Sequence, residues 1–222
     1  MSVDLAQLRA QYSAALRNGD DAAASAVVRL LQQSGATTRT IYFDVFAPSM
    51  QEIGDLWERN EITVAEEHLA TAITERMIGQ LSMSASSVVE QAQGVIVAGC
   101  VAGERHELGL RMLADLLRHH GWRVLFLGAD VPTADWVRLA VRTHADAVAI
   151  SAGAQRHVPA VRSLVCQLRD ARPQLQVLVG GAIFQRDPML WQAVGATLFN
   201  ADPVGAVDQL TEQQRQSRNL KI

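Results

Sequence analysis

Apolar positions in the first third of the chain recur at three- and four-residue spacing, the period of helices that bury one face. Leu5, Leu8, Tyr12, Ala15 and Leu16 line one such face, and Asn18-Gly19-Asp20 supplies a stop followed by a new helix cap. A second helix carries Val27, Val28, Leu30 and Leu31 and ends at Ser34-Gly35. Thr37 caps a third, whose buried side is marked by Ile41, Val45, Met50, Ile53 and Trp57, with a bend expected at Pro48. Thr63-Val64-Ala65-Glu66 is a capping box for a fourth helix running through His68, Ile73, Met77 and Leu81. Four short antiparallel helices joined by tight turns predict a four-helix bundle over residues 1–84, and the small polar stretch 82–87 reads as a linker.

From residue 94 the pattern changes to short runs rich in Val, Ile, Leu and Phe, at 95–98, 123–127, 147–151, 176–179 and 197–200. Helical stretches beginning near Glu107, Pro132, Val158, Asp187 and Pro203 separate and follow them, giving five βα repeats. Runs apolar on both faces belong to parallel strands covered by helices on both sides. The prediction for 94–222 is therefore an α/β domain with a flavodoxin-like, Rossmann-like five-stranded parallel sheet. The polar stretch 211–222 reads as a helix end and frayed tail.

Composition narrows the function. A formal charge of −3, a pI near 6.1 and the lack of a basic cluster argue against a nucleic-acid surface. Cys100 and Cys166 lie in apolar surroundings, read as buried thiols, and offer neither a disulfide framework nor metal spacing. No signal peptide or membrane-length apolar run is present, so the expected location is the cytoplasm, with no membrane partner. No nucleophile–base pair, phosphate-binding loop or paired acid–base carboxylates stand out, which favours a sensor over an enzyme. His119-His120 before Gly121 read as a helix C-terminus, Trp122, Trp136 and Trp191 as packing residues, and Arg156-His157 as the polar start of a helix.

The chemistry-bearing residues sit where a doubly wound sheet binds ligands, at the carboxyl ends of strands. Glu104-Arg105-His106-Glu107-Leu108-Gly109 follows the first strand, Ser151-Ala152-Gly153 ends the third, and Gly180-Gly181 ends the fourth. A neutral imidazole is a good nitrogen donor to a transition metal, and an acidic neighbour such as Glu104 can accept the other ring proton. Gly109, Gly180 and Gly181 leave room for a bulky group near the backbone, and the Ser151 hydroxyl can bond to a ring nitrogen. Taken alone, one loop histidine is more commonly a surface residue with local hydrogen bonds.

In order and spacing these residues resemble the cobalamin-binding signature Asp-x-His-x-x-Gly, Ser-x-Leu, Gly-Gly. The resemblance implies that His106 is the lower axial ligand of cobalt, replacing the cofactor's own dimethylbenzimidazole. The released nucleotide tail would then lie in a channel lined by Gly109, Ser151, Gly153, Gly180 and Gly181, with Arg105 and Glu107 also touching the cofactor. Two positions depart from the pattern. Glu104 stands in place of Asp, which puts its direct hydrogen bond to His106 in question. Gly153 stands in place of Leu, which implies a looser wall beside the tail.

In the helical half, Trp57 is followed after nine residues by Glu67-His68. This resembles the Trp-x9-Glu-His motif of the adenosylcobalamin photoreceptors related to light-dependent carotenoid-gene repressors. The resemblance implies that Trp57 covers the adenosyl group, that Glu67-His68 touches it, and that green or blue light cleaves the cobalt–carbon bond and shifts the bundle. Those repressors carry a histidine directly after the tryptophan, where this chain has Glu58, so after photolysis the upper cobalt face would be taken by His68, the one bundle histidine, following some helix movement, or by water. They also carry a winged-helix DNA-binding domain ahead of the bundle, whereas this sequence begins with the first bundle helix. Signalling would then pass through a transcription factor or signalling protein, or through homo-oligomers. The bland alternative makes Trp57 bundle core and Glu67-His68 first-turn polarity at a helix start. A methyl-carrying corrinoid protein of a methyltransferase system is the main competing reading. A detached mutase subunit ranks below it, as does a receiver-like domain, whose phosphoacceptor aspartate is replaced here by Ser151.

Overall fold

In the computed structural model, which describes residues 4–84 and 92–219, the chain forms two units, Met1–Ser86 and Ser87–Ile222. The first is helical and its boundaries follow the capping chemistry. Asp4 accepts from the backbone N–H groups of Ala6 and Gln7 to start α1 (Leu5–Arg17). Gly19, at φ +62°, turns the chain, and Asp20 accepts from Ala23 to open α2 (Asp21–Gln33). Thr37 caps α3 (Thr38–Thr40), which continues through a π-helical segment, Ile41–Phe46, into α4 (Ala47–Glu58). Pro48 has no N–H to donate to the preceding turn, and the widened turn just before it absorbs the missing bond, so the expected bend appears as a π segment. The capping box is present at the start of α5 (Val64–Ser84): Thr63 N–H donates to Glu66 Oε2 at 2.7 Å and Glu66 N–H to Thr63 Oγ1 at 3.3 Å. Of the predicted linker 82–87, α5 takes residues through Ser84, and 85–87 lie outside the described residues.

The bundle core is aromatic at its centre. Tyr12 and Phe46 stack with centroids 4.8 Å apart, flanked by Tyr42. The Tyr12 hydroxyl donates to Thr74 Oγ1 at 3.1 Å, and Thr74 passes its own proton to the Ala70 carbonyl at 2.9 Å, so both buried hydroxyls are satisfied. Leu30 and Trp57, both on faces read as apolar, are exposed, and Leu5 and Met50 are half-buried.

The second unit is a parallel sheet in the order β2-β1-β3-β4, built from β1 (Gly94–Val101), β2 (Trp122–Val131), β3 (Ala147–Ser151) and β4 (Gln176–Gly180). The connecting helices are α6 (Leu108–His119), α7 (Thr133–Arg142), α8 (Val158–Ala171), the short α9 (Ala182–Arg186) and α10 (Leu190–Ala193), and α11 (Pro203–Asn219). α6 packs with α11 and α7 with α8, giving the two helical layers of a doubly wound sheet. Val97, Trp136, Val148, Val161, Leu164 and Phe184 are among the residues that fill the core cluster on one side.

The expected fifth strand is reduced to one bridge, Leu178 with Leu198. Thr197 explains this, because its side-chain oxygen takes the Val177 N–H at 2.7 Å, where a backbone carbonyl would continue a ladder. Asn200 then accepts from the Asp202 N–H at 2.9 Å and turns the chain into α11. The helix expected near Asp187 is split into α9 and α10 on either side of that residue. Thr211 and Gln214 are buried rather than frayed, with Trp122 Nε1 donating to Thr211 Oγ1 at 3.0 Å, while residues 220–222 lie outside the described residues. Of the two cysteines, Cys100 is buried as expected, but Cys166 is exposed. Among the described residues no helix is long and apolar enough to cross a membrane.

Substitutions in each unit test this packing. In the bundle, Thr74→Val strands the buried Tyr12 hydroxyl and is expected to cost about 1–3 kcal/mol. Adding Tyr12→Phe should return part of that loss in urea denaturation. In the sheet, Gly181 has φ +99°, and a Cβ there would lie 2.3 Å from the Ala152 carbonyl oxygen. Gly181→Ala is expected to cost about 2–4 kcal/mol. Gly180→Ala, which meets nothing within 4 Å, should change stability by no more than about 0.5 kcal/mol.

Candidate cofactor site

The loop after β1 is organised around a buried carboxylate. Glu104 is 1% exposed, and its two oxygens face different partners. Oε1 accepts from the His106 backbone N–H at 2.8 Å and lies 2.6 Å from His106 Nδ1. Oε2 accepts from the Gly153 N–H, on the turn after β3. Burial alone raises the Glu104 pKa, but the side-chain and backbone hydrogen bonds of His106 and the Gly153 amide outweigh it and hold the group at about 2. An ionised carboxylate only accepts, so His106 Nδ1 donates to it, and in the neutral ring the lone pair then lies on Nε2. The direct contact that the longer side chain put in question is therefore made. The His106 side chain is 78% exposed while the group that orients it is sealed.

The tail of β2 supports the same loop from the other side. Register shifts at Ala98/Gly99 and Gly99/Val101 carry β2 past the expected length, with Gly128 at φ +79° and Asp130 at φ +53°. Asp130 then accepts from the Gly103 N–H at 2.6 Å and donates its own N–H to the Glu104 carbonyl at 2.9 Å. His157, read from sequence as a polar helix start, is 4% exposed and packs with Nδ1 3.0 Å from Glu104 Oε2. That approach lies off the hydrogen-bond direction, since neither ring nitrogen has a hydrogen-bond partner. Sequence reading missed the β2 tail and the burial of His157 against Glu104. Gly128 was the available signal for the first and nothing local marked the second.

The remaining expected residues divide by environment. Arg105 is exposed, and Glu107 is half-buried, paired with Arg111 four residues along α6 and set against the Gly128 backbone. Ser151 is buried at the end of β3, beside Cys100 in the sheet register. Burial pushes the Cys100 thiol up to about 12, with Glu104 and Glu107 adding to the shift, so it behaves as a small apolar side chain. A Cβ added at Gly109 or Gly180 would meet nothing within 4 Å, so both open onto free space at the carboxyl end of the sheet. Gly181 is instead required by its backbone, which crosses Ala152. Gly153 does not leave a looser wall, because the space a side chain would occupy holds the Glu104 carboxylate, 2.8 Å from an added Cβ. An oriented imidazole, a buried hydroxyl and two open glycines on neighbouring strand ends fit a metal macrocycle with a trailing nucleotide.

On the bundle, Trp57 lies near the end of α4 and is 46% exposed. Glu67, in the first turn of α5, accepts from Thr71 Oγ1 at 3.0 Å, and the exposed His68 ring lies 3.5 Å from it. The bundle and sheet residues belong to separate units. Among the described residues there is no cluster of three or more His, Cys, Asp or Glu side chains able to hold a metal ion by themselves. A single histidine beneath a macrocycle that brings its own nitrogens needs no such cluster.

Comparison with known proteins finds family matches in both halves of the chain. A B12 binding domain matches residues 94–201 and a second B12 binding domain matches residues 8–82. The HTH-type transcriptional repressor CarH of Myxococcus xanthus is 32% identical over 160 residues, 72% of this chain and 52% of that protein. Dimethylamine corrinoid protein 3 of Methanosarcina acetivorans is 30% identical over 135 residues, 60% of this chain and 63% of that protein. The chain thus spans between about half and two thirds of the length of these relatives. The structure of the Methanosarcina barkeri monomethylamine corrinoid protein superposes with a TM-score of 0.83 over 95% of this chain and 100% of that one, at 17% identity, a likeness of fold. With both its helical and its sheet halves matched, the chain belongs to the B12-binding domain family.

Proposed function

We propose that this chain is a light sensor that holds adenosylcobalamin through His106 and signals through a protein partner. The domains are taken as a helical cap, residues 1–84, and a cobalamin-binding domain, residues 94–222. His106 Nε2 is the lower axial ligand, kept in the required tautomer by Glu104. Gly109 and Gly180 leave the channel for the nucleotide tail open, Gly181 and Gly153 keep the turns beside it tight, Ser151 bonds to the base of the tail, and Arg105 and Glu107 border the corrin ring. When bound, the cofactor supplies a cobalt–carbon bond that visible light cleaves.

The observation that carries the sensing half of this reading is the exposure of Trp57. As bundle core the indole would be buried, yet it is 46% exposed. Val64 at 53% and Leu69 at 48% join it, so that three of the six large exposed hydrophobics among the described residues fall within residues 57–69. An exposed indole suits a nucleoside base, and a carboxylate such as Glu67 can accept from ribose hydroxyls. Loss of those contacts after illumination is a differential interaction of the kind a two-state switch requires. His68 is the bundle histidine available to take the upper cobalt face. The partner is a transcription factor, a signalling protein or a second copy of the chain, and no chemical turnover is assigned to it.

A methyl-carrying corrinoid role is the second reading. Glu58 directly follows Trp57 and cannot serve as an imidazole ligand, and the corrinoid proteins of methylamine systems lie nearly as close in sequence as the repressor.

The two separate in one experiment. Protein loaded with adenosylcobalamin in the dark is followed by absorption and size-exclusion chromatography before and after green light, with His106→Ala and Trp57→Ala alongside. The sensor reading expects a spectral change coupled to a change in elution. It also expects weaker binding in His106→Ala, and in Trp57→Ala a loss of about 10-fold confined to the adenosyl form. Preference for methylcobalamin with no light-linked change in size would favour the methyl carrier. Failure to bind any cobalamin would remove both.

A further inference from the structure

Gly153 differs from the other glycines of the site in what makes it necessary. Its φ is not in the left-handed region occupied by Gly103, Gly128 and Gly181, so its backbone conformation is open to other residues. What excludes a side chain is Glu104: an added Cβ would lie 2.8 Å from Oε2 and 3.6 Å from the carboxyl carbon. The same oxygen accepts from the Gly153 N–H, while Oε1 holds the backbone and the ring of His106. One carboxylate thus spans two strand-end loops, and each end restricts the other.

We propose that Gly153 is a positioning residue for the cobalt ligand: lacking a side chain, it lets the glutamate at 104 reach its amide, and that anchor sets Oε1 and hence the plane and tautomer of His106. Glu104 and Gly153 form a coupled pair. The extra methylene of Glu104 is accommodated because position 153 is bare, and a residue with a Cβ at 153 requires a shorter acid at 104. The consequence for cofactor affinity rests on His106 being the lower ligand, whereas the pairing itself is a property of the protein without cofactor.

A double-mutant cycle tests it, using Gly153→Ala, Glu104→Asp and the double variant in the full chain. The first readout is the imidazole nitrogen spectrum of His106 in cofactor-free protein, assigned with His106→Gln, which reports the fraction carrying its proton on Nδ1. The second is affinity for adenosylcobalamin. In the Glu104 background, Gly153→Ala should lower the Nδ1–H fraction and weaken binding about 10- to 100-fold. In the Glu104→Asp background the same substitution should change affinity by less than about 3-fold, since the shorter carboxylate no longer meets the new Cβ. Equal losses in both backgrounds, or no loss in the first, would overturn the coupling.

Should Gly153→Ala fail to fold, the Gly153 amide in Glu104→Asp decides the matter. An upfield shift with faster hydrogen exchange is expected, and an unchanged amide overturns the proposal. If wild type binds no cobalamin, the functional reading falls while the tautomer cycle still decides the pairing.

Discussion

A carboxylate sealed from water must have its charge met by nearby donors, and at Glu104 those donors come from separate parts of the chain. The His106 amide and ring occupy one oxygen, the Gly153 amide the other, and His157 packs against the second oxygen. Because these hydrogen bonds more than offset burial, the group stays ionised down to about pH 2. A fixed negative charge at this point ties the end of β1 to the turn after β3. It also orients the His106 ring through Nδ1. The tail of β2 completes the frame, since Asp130 bonds to both Gly103 and the Glu104 backbone.

The glycines show how one residue type serves unlike purposes within a single site. Gly181 has a backbone conformation and a crossing over Ala152 that forbid a side chain, so it maintains the fold. Gly109 and Gly180 face open space, where packing does not require the absence of a side chain. Gly153 answers to a charged neighbour. A motif written as letters treats the four alike, and only the surroundings of the missing Cβ distinguish them.

In the bundle, polar and apolar demands are divided in the opposite way. The interior satisfies its few hydroxyls internally, through Tyr12, Thr74 and the Ala70 carbonyl, and around Ser13 and Ser49. The segment 57–69 leaves an indole and two aliphatic side chains exposed near Glu67 and His68. Glu58, where a histidine follows the tryptophan in the photoreceptor motif, keeps the methyl-carrier reading in contention.

The sequence by itself determined the features that depend on local chemistry. Caps at Asp4, Asp20 and Thr37, the box at Thr63-Glu66 and the alternation of apolar runs with helices all act within a few residues, so four helical rods and a parallel α/β sheet were legible. The order of Glu104, His106, Ser151 and Gly180 at strand ends was legible for the same reason. Tertiary structure decided what depends on contacts between distant residues. The fifth strand shrank to one bridge because the Thr197 side chain took a ladder bond, and Trp57 was left exposed although its helical period placed it inside. The burial of His157 beside Glu104, and the glycine at 153 made necessary by a carboxylate 49 residues earlier, had no local signal. Periodicity and capping are written within one turn of chain, whereas the partner of a buried charge is chosen only when the strands that carry both groups are brought side by side.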